Sequence, residues 1–221
     1  ILYVRTDTSW EDYLQSKSRH FRKMMRKQKR KLERELDAEF RCEKNLEAEE
    51  IIETCASIDA TSWKADDGKL FFREDQLAPF FRAVFPKLLA NNWLELWRLI
   101  GDGQKTIAYV LVASSGRNAY FFKGGFDPAY SKYSPGTLLH YVMLEKKCED
   151  GCALCSFMLG EEDYKQRFST EQATRKQIYL LSDSFRSRAL FRRLMQFRWW
   201  FGAVRNCLRQ RASKRENADK S

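Results

Sequence analysis

The hydrophobic pattern keeps a helical period over the first part of the chain and then changes. From Trp10 to about Ala38, Phe21, Met25, Leu32 and Leu36 fall near one helical face and basic residues fill the others, which predicts one long helix. EFRCEKN (39–45) predicts a short strand. From Leu46 to Trp63 the helical spacing returns, with Ile51, Ile52, Cys55, Ile58 and Ala60 broadly inward. KADDGK (64–69) reads as a loop, and Glu74 to Ala90 as a helix interrupted near Pro79 and Pro86.

The period then drops to two. WLELWRLI (93–100) alternates as a strand does, and GDGQ (101–104) carries the Asp-Gly hairpin signal. TIAYVLVAS (106–114) is apolar on both faces, SGR (115–117) turns, and NAYFFKG (118–124) is a third strand. These three predict an antiparallel meander. After a polar loop come a helix from Ser134 to Glu149, a strand over CALCSFML (152–159) and a short helix or loop over EEDYKQRF (161–168). A final strand is expected over TRKQIYLLS (174–182), then a helix from Ser184 to about Arg209 and a disordered polar tail. This order is α+β, with a mixed sheet flanked by helices. Residues 118–124 and 152–159, joined through a helix, should lie parallel as a right-handed βαβ unit. Residues 1–182 are expected to form one domain, and 183–221 a basic amphipathic appendage.

Composition narrows the reading. The 221 residues are 43% hydrophobic and 32% charged, and no stretch approaches the roughly 20 apolar residues a spanning helix needs. With no initiator Met and no signal-peptide pattern at Ile1, the chain reads as a fragment lacking an N-terminal portion. Net charge is +10, unevenly placed. Lys17 to Arg34 holds ten Lys or Arg against one acid, Glu33, and Arg186 to Arg215 holds ten against none. Such clusters are either solvated helix faces or attractors of nucleic acid, anionic lipid or phosphate-bearing cofactors.

Cys148, Cys152 and Cys155 have the C-x3-C-x2-C spacing of a radical-SAM iron–sulfur site, but only 66 residues follow, too few for the barrel such enzymes build. They read instead as core thiols in a reducing compartment, with no metal expected. His20 sits in a basic helix and His140 in an apolar helical turn, which gives a Ser-His-Asp triad or a zinc site little support.

Glycine and proline concentrate in GGFDPAYSKYSPG (124–136). Ser134 can cap the following helix, Pro135 suits its first position, and Gly136 lets a ligand approach the backbone. Such a helix start is a ready anion site, and Lys123 could add a formal charge. A well-capped helix after a tight turn is the alternative.

AYFFKGGFDPAYSKYSPGTLLHYVMLEKKCEDG followed by SFMLGEEDYKQRF resembles the acetyltransferase-type domain of the FemAB-like and CelD-like branch of the GNAT superfamily. Upstream, CASIDATSW resembles that family's Trp-ending helix and TIAYVLVA its central strand, so the resemblance covers about residues 15 to 170. It implies the GNAT fold, a mixed and mostly antiparallel sheet, and an acyltransferase using acyl-CoA, acetyl-CoA first. Ser134, Gly136 and Thr137 would hold the donor's phosphates. The backbone near Lys123 and Gly124 would face the thioester oxygen, Glu161 or Glu162 would be the base, and Tyr164 the acid for the leaving thiolate. Trp63, Lys165 and Ser156 would contact substrate. Ser156 stands where the family has an acid, and Leu159 where it has Arg, which implies altered specificity or reduced activity.

The resemblance further implies an acceptor on a cell-envelope glycan or lipid-linked intermediate. A cytoplasmic location follows, or a peripheral one at the inner membrane face. Its Fem members use aminoacyl-tRNA, which makes tRNA a second donor class. A non-catalytic binding module is the alternative that Ser156 favours. In the C-terminal helix Leu190, Leu194, Phe197, Phe201, Val204 and Leu208 recur at helical spacing among arginines, with Trp199 and Trp200, which fits an anionic membrane surface or a docking partner.

Overall fold

Two helices precede the sheet where sequence periodicity suggests one. The computed structural model describes residues 1–62, 72, 77–158, 160, 162–174, 182, 184, 187–194 and 196. It opens with a strand absent from the sequence expectations, β1 (Leu2–Arg5), then α1 (Trp10–Gln15) and α2 (Arg19–Leu36). The expected helix breaks at 16–18 because Ser18 turns extended and its hydroxyl accepts the Phe21 amide at 3.1 Å, an N-cap that starts α2 afresh. Next come β2 (Glu39–Glu43), α3 (Ala48–Thr61) and α4 (Ala78–Ala90). Pro79 opens α4 in its first turn, where a missing N–H costs nothing, and the helix continues through Pro86.

The meander follows as β3 (Leu94–Gly101), β4 (Lys105–Ser115) and β5 (Asn118–Phe126), antiparallel throughout. Asp102, Gly103 and Gln104 all take left-handed conformations in the first turn, which is why the Asp-Gly signal falls there. A 3-10 turn (Pro128–Tyr133) leads to α5 (Pro135–Glu149), then β6 (Leu154–Ser156), α6 (Asp163–Phe168) and β7 (Glu171–Gln172).

The sheet order is β2-β3-β4-β5-β6-β1-β7, with β5 and β6 parallel and every other neighbouring pair among the described residues antiparallel. This is an α+β architecture with a mixed, mostly antiparallel sheet, as the element order predicts. β1 pairs with β6 about 150 residues later and β7 about 170 residues later, a register that local pattern does not reveal. Of the strand expected over 174–182, residues 175–181 lie outside the described residues.

Alternate residues of the sheet feed two cores. Trp97, Leu99, Val110 and Val112 pack with α1, α2, α5 and α6, while Leu94, Leu96, Tyr109 and Leu111 pack with α3 and α4. The first cluster also holds Val4 of β1 and Phe168 of α6. α5 is tied down at its far end by a buried network. The Lys147 ammonium lies 2.7 Å from a Glu95 carboxylate oxygen, which also accepts from the Trp97 indole at 2.9 Å.

Backbone contacts divide the chain into two units, 1–174 and 175–221. In the second, residues 187–194 are helical, with Leu190 and Leu194 exposed. The rest of the expected apolar stripe, from Phe197 on, lies outside the described residues. No helix among them is long and apolar enough to cross a membrane.

Candidate active site

The concentration of Gly and Pro in 124–136 builds two consecutive turns. Asp127 accepts the Ala129 amide at 3.0 Å and starts the 3-10 turn, with Pro128 at its first position. Ser134 then adopts a left-handed conformation (φ 53) and redirects the chain into α5 at Pro135. The Ser134 side chain makes no capping bond, contrary to expectation, because the left-handed backbone takes the place of the extended cap. Its carbonyl accepts the Leu138 amide at 3.0 Å.

The start of α5 is therefore open to an acceptor. Among the described residues nothing accepts from the Gly136 and Thr137 amides, and no acid lies in the first turn. Both residues are partly exposed. Free amides, the positive helix end and a missing carboxylate together suit a phosphate.

Beside this helix start the sheet opens. β5 and β6 pair only from Asn118↔Leu154 to Tyr120↔Ser156, yet β5 continues to Phe126. β6 leaves because the Ser156 hydroxyl accepts the Met158 amide at 3.2 Å and Met158 turns left-handed (φ 56), while the Phe157 amide turns to the Leu2 carbonyl of β1. Ser156 thus shapes the divergence, and it is buried on the row of Tyr3 and Tyr120 rather than among the rings packed together where the strands part.

Those rings are Phe121, His140, Phe157, Tyr164 and Phe168. Phe121 meets Phe157 edge-on at 5.3 Å, and Tyr164 lies 5.3 Å from His140 and 6.2 Å from Phe157. The His140 Nδ1 lies 2.7 Å from the Gly136 carbonyl. Burial pulls the imidazole down to about 4, so it is neutral and packed, in keeping with its apolar sequence setting. Tyr164 thus packs on His140, in the second turn of α5. Burial, with the Glu162 charge adding, pushes its phenol up to about 12. No partner for its hydroxyl occurs among the described residues.

Other expected residues are engaged differently. The Lys165 ammonium is buried and lies 2.8 Å from the Glu162 carboxylate. Burial raises that carboxyl, but the Lys165 partner outweighs it and leaves it below the usual range, so Glu162 is a weaker base than a free carboxylate. Lys123 does not reach the α5 start. A register shift in β5 opposite Leu111 and Val112 turns it toward α3, where its ammonium lies 3.2 Å from Asp59. The Asp59 carboxylate also accepts from the Tyr109 hydroxyl at 2.9 Å. Gly124 pairs with Val110, and a Cβ there would come 3.2 Å from the Tyr109 carbonyl, a tight fit that the neighbouring strand would have to yield to. Trp63, Leu159 and Glu161 lie outside the described residues.

The Asp59 network is not among the residues the sequence pattern singles out. Its signal was present: Asp59 continues the inward series Ile52, Cys55, and it is buried where Ala60, expected inward, is exposed. An acid on an apolar helix face implies a buried partner. Glu95 and Lys147 escape notice for the same reason.

Residues 19–166 match the family model described as "Acetyltransferase (GNAT) domain". The fold is similar to the crystal structure of FemX, with a TM-score of 0.55 and 13% identity over 73% of this chain and 53% of that one. A conserved protein of unknown function from Bacteroides thetaiotaomicron VPI-5482 superposes with a TM-score of 0.49 at 14% identity, over 77% of this chain and 55% of that one. The chain spans about half the length of these solved relatives. No curated protein matches it.

Proposed function

The chain belongs to the acetyltransferase (GNAT) family, and from that premise we propose that it is an acyltransferase that moves an acyl group from acyl-CoA, acetyl-CoA first, to an amine or hydroxyl of a cell-envelope or polysaccharide-biosynthesis intermediate. The observation that carries this reading is the juxtaposition of two unaccepted amides, Gly136 and Thr137, with the unpaired length of β5. The amides hold the donor's pyrophosphate, with the Ser134 and Thr137 hydroxyls beside them. The thioester lies along β5 where β6 has turned away, which lets backbone donors meet the developing oxyanion.

The acceptor nitrogen or oxygen attacks the thioester carbonyl and gives up a proton to a base. The C–S bond breaks, and the CoA sulfur takes a proton from Tyr164. Glu162 is held by Lys165, which weakens it as that base, and Glu161 remains the other candidate. Lys165 and Trp63 remain candidates for contact with the acceptor, and Ser156 acts on it only through the turn it holds.

Release of free CoA thiol from acetyl-CoA, followed with a panel of amino-sugar and polyol acceptors, tests the reading. Acceptor-dependent release is expected. A protein that binds CoA but releases no thiol with any acceptor would overturn it.

Aminoacyl transfer from tRNA is the second reading. It draws on α2, where Arg19, Arg22, Lys23, Arg26, Lys27, Arg30, Lys31 and Arg34 occupy the arc opposite the buried Phe21, Met25 and Leu32. Binding of tRNA that persists at physiological salt would favour it.

A further inference from the structure

The C-x2-C pair at the root of β6 takes no part in the chemistry above. The Cys152 and Cys155 sulfurs stand 3.9 Å apart, although an extended chain would keep residues three apart well separated. The close approach comes from the bend at 152–153: the Cys152 amide bonds the Lys147 carbonyl at 3.0 Å, and the Ala153 amide bonds the Arg117 carbonyl at 2.7 Å. A disulfide needs about 2.05 Å between sulfurs, so closure requires a movement of under about 2 Å.

We propose that Cys152 and Cys155 are a peroxide-sensitive dithiol that closes to an intramolecular disulfide and thereby alters the opening between β5 and β6. Cys152 is the attacking group, because it retains 9% exposure while Cys155 is sealed at 0%. The Cys152 sulfur lies beside the Cys155 thiol and donates to the Arg117 and Leu154 carbonyls at 3.2 and 3.3 Å, whereas burial pushes Cys148 up to about 11. The Cys152 thiolate attacks one oxygen of hydrogen peroxide, the O–O bond breaks, and sulfenic acid and hydroxide form. The Cys155 sulfur then attacks the Cys152 sulfur, its proton leaves with the displaced hydroxyl as water, and the disulfide remains. Peroxide is reduced by two electrons and the two thiols are oxidised by two.

Cys155 is well placed to transmit the change. It pairs with Ala119 of β5 and Val4 of β1 and directly precedes Ser156, whose hydroxyl sets the turn at Met158. Drawing its sulfur toward Cys152 shifts the strand that carries Ser156 and Phe157. This coupling rests on the donor site proposed above, whereas the thiol chemistry does not.

The test treats the full chain with graded hydrogen peroxide, then measures intact mass and maps peptides. Loss of two hydrogens, mapped to a Cys152–Cys155 link, is expected in the wild type and in Cys148→Ser, and not in Cys152→Ser. In Cys155→Ser, dimedone should trap a sulfenic acid on Cys152. A link through Cys148, a dimedone adduct elsewhere, or sulfinic acid without a link would overturn the dithiol. CoA affinity of the oxidised wild type should fall several-fold and recover with dithiothreitol. A clean disulfide with unchanged affinity would overturn the coupling while the thiol assignment stands, and absence of CoA binding by the reduced protein would count against the donor site itself.

Discussion

The Lys123 ammonium lies 3.2 Å from the Asp59 carboxylate between β5 and α3, where Asp59 is buried and Lys123 mostly so. This pair fastens the irregular stretch of β5 to a helix on the sheet face opposite α5. Leaving one buried charge without the other costs roughly 3–5 kcal/mol. Lys123→Met and Asp59→Asn should each lower the urea midpoint by that order. The double variant should lose clearly less than the sum, as a double-mutant cycle reads out. Additive losses would show that the two groups do not act together.

A second cycle examines α5. Glu95→Gln and Lys147→Met each break the network that holds its last turn to β3 and should each cost about 3 kcal/mol or more, with strong coupling. Burial raises the Glu95 carboxyl, but Lys147 and Trp97 outweigh it and leave it low. Its stabilising contribution is therefore present at neutral pH and lost as pH falls through the lowered value. A wild-type acid limb no steeper than that of Glu95→Gln would contradict this.

His140 sets another part of the acid limb. Its folded pKa of about 4 lies below the unfolded value near 6.5, so the unfolded chain binds the extra proton between these limits. Stability should rise with pH from about 4 to about 6.5, by roughly 3 kcal/mol in all, and this contribution is complete above that window. His140→Phe should flatten the rise in urea titrations at stepped pH. An unchanged slope would mean that the imidazole is not held neutral.

The sheet was more legible than its attachments. β3 declared itself by alternation and the Asp-Gly turn that follows it, and β4 by an apolar run that matches its burial on both faces. β1 did not, since four residues at the chain start carry too little pattern and their partners lie far away. The break before α2 was masked by apolar spacing that runs on across Ser18. At the site, the glycine-proline stretch correctly marked the helix start, but Lys123, expected to add charge there, pairs with Asp59 of α3 because a one-residue shift in β5 reverses a side chain's direction. A charged residue within a helix reads as solvent-facing until its partner is known, which is why Asp59 and Lys147 stayed hidden.

Tyr164→Phe tests the proposed acid. Turnover should fall by about 100-fold or more while CoA affinity changes little, because the hydroxyl serves the leaving sulfur and not the phosphates. With the phenol near 12, wild-type turnover should show no loss traceable to this group up to about pH 11. Unchanged turnover by the variant would remove the role.

The central claim is that the Gly136 and Thr137 amides receive the donor's phosphates. The most direct measurement is calorimetric titration of CoA into the wild type and into Gly136→Glu, with thermal melting of both. A side chain at Gly136 has room, since a Cβ there would meet only the Phe126 ring at 3.5 Å. A carboxylate in the first turn also favours the helix. The account predicts that Gly136→Glu melts no lower than the wild type but loses CoA affinity by at least tenfold. Equal affinity of the two proteins for CoA would contradict it.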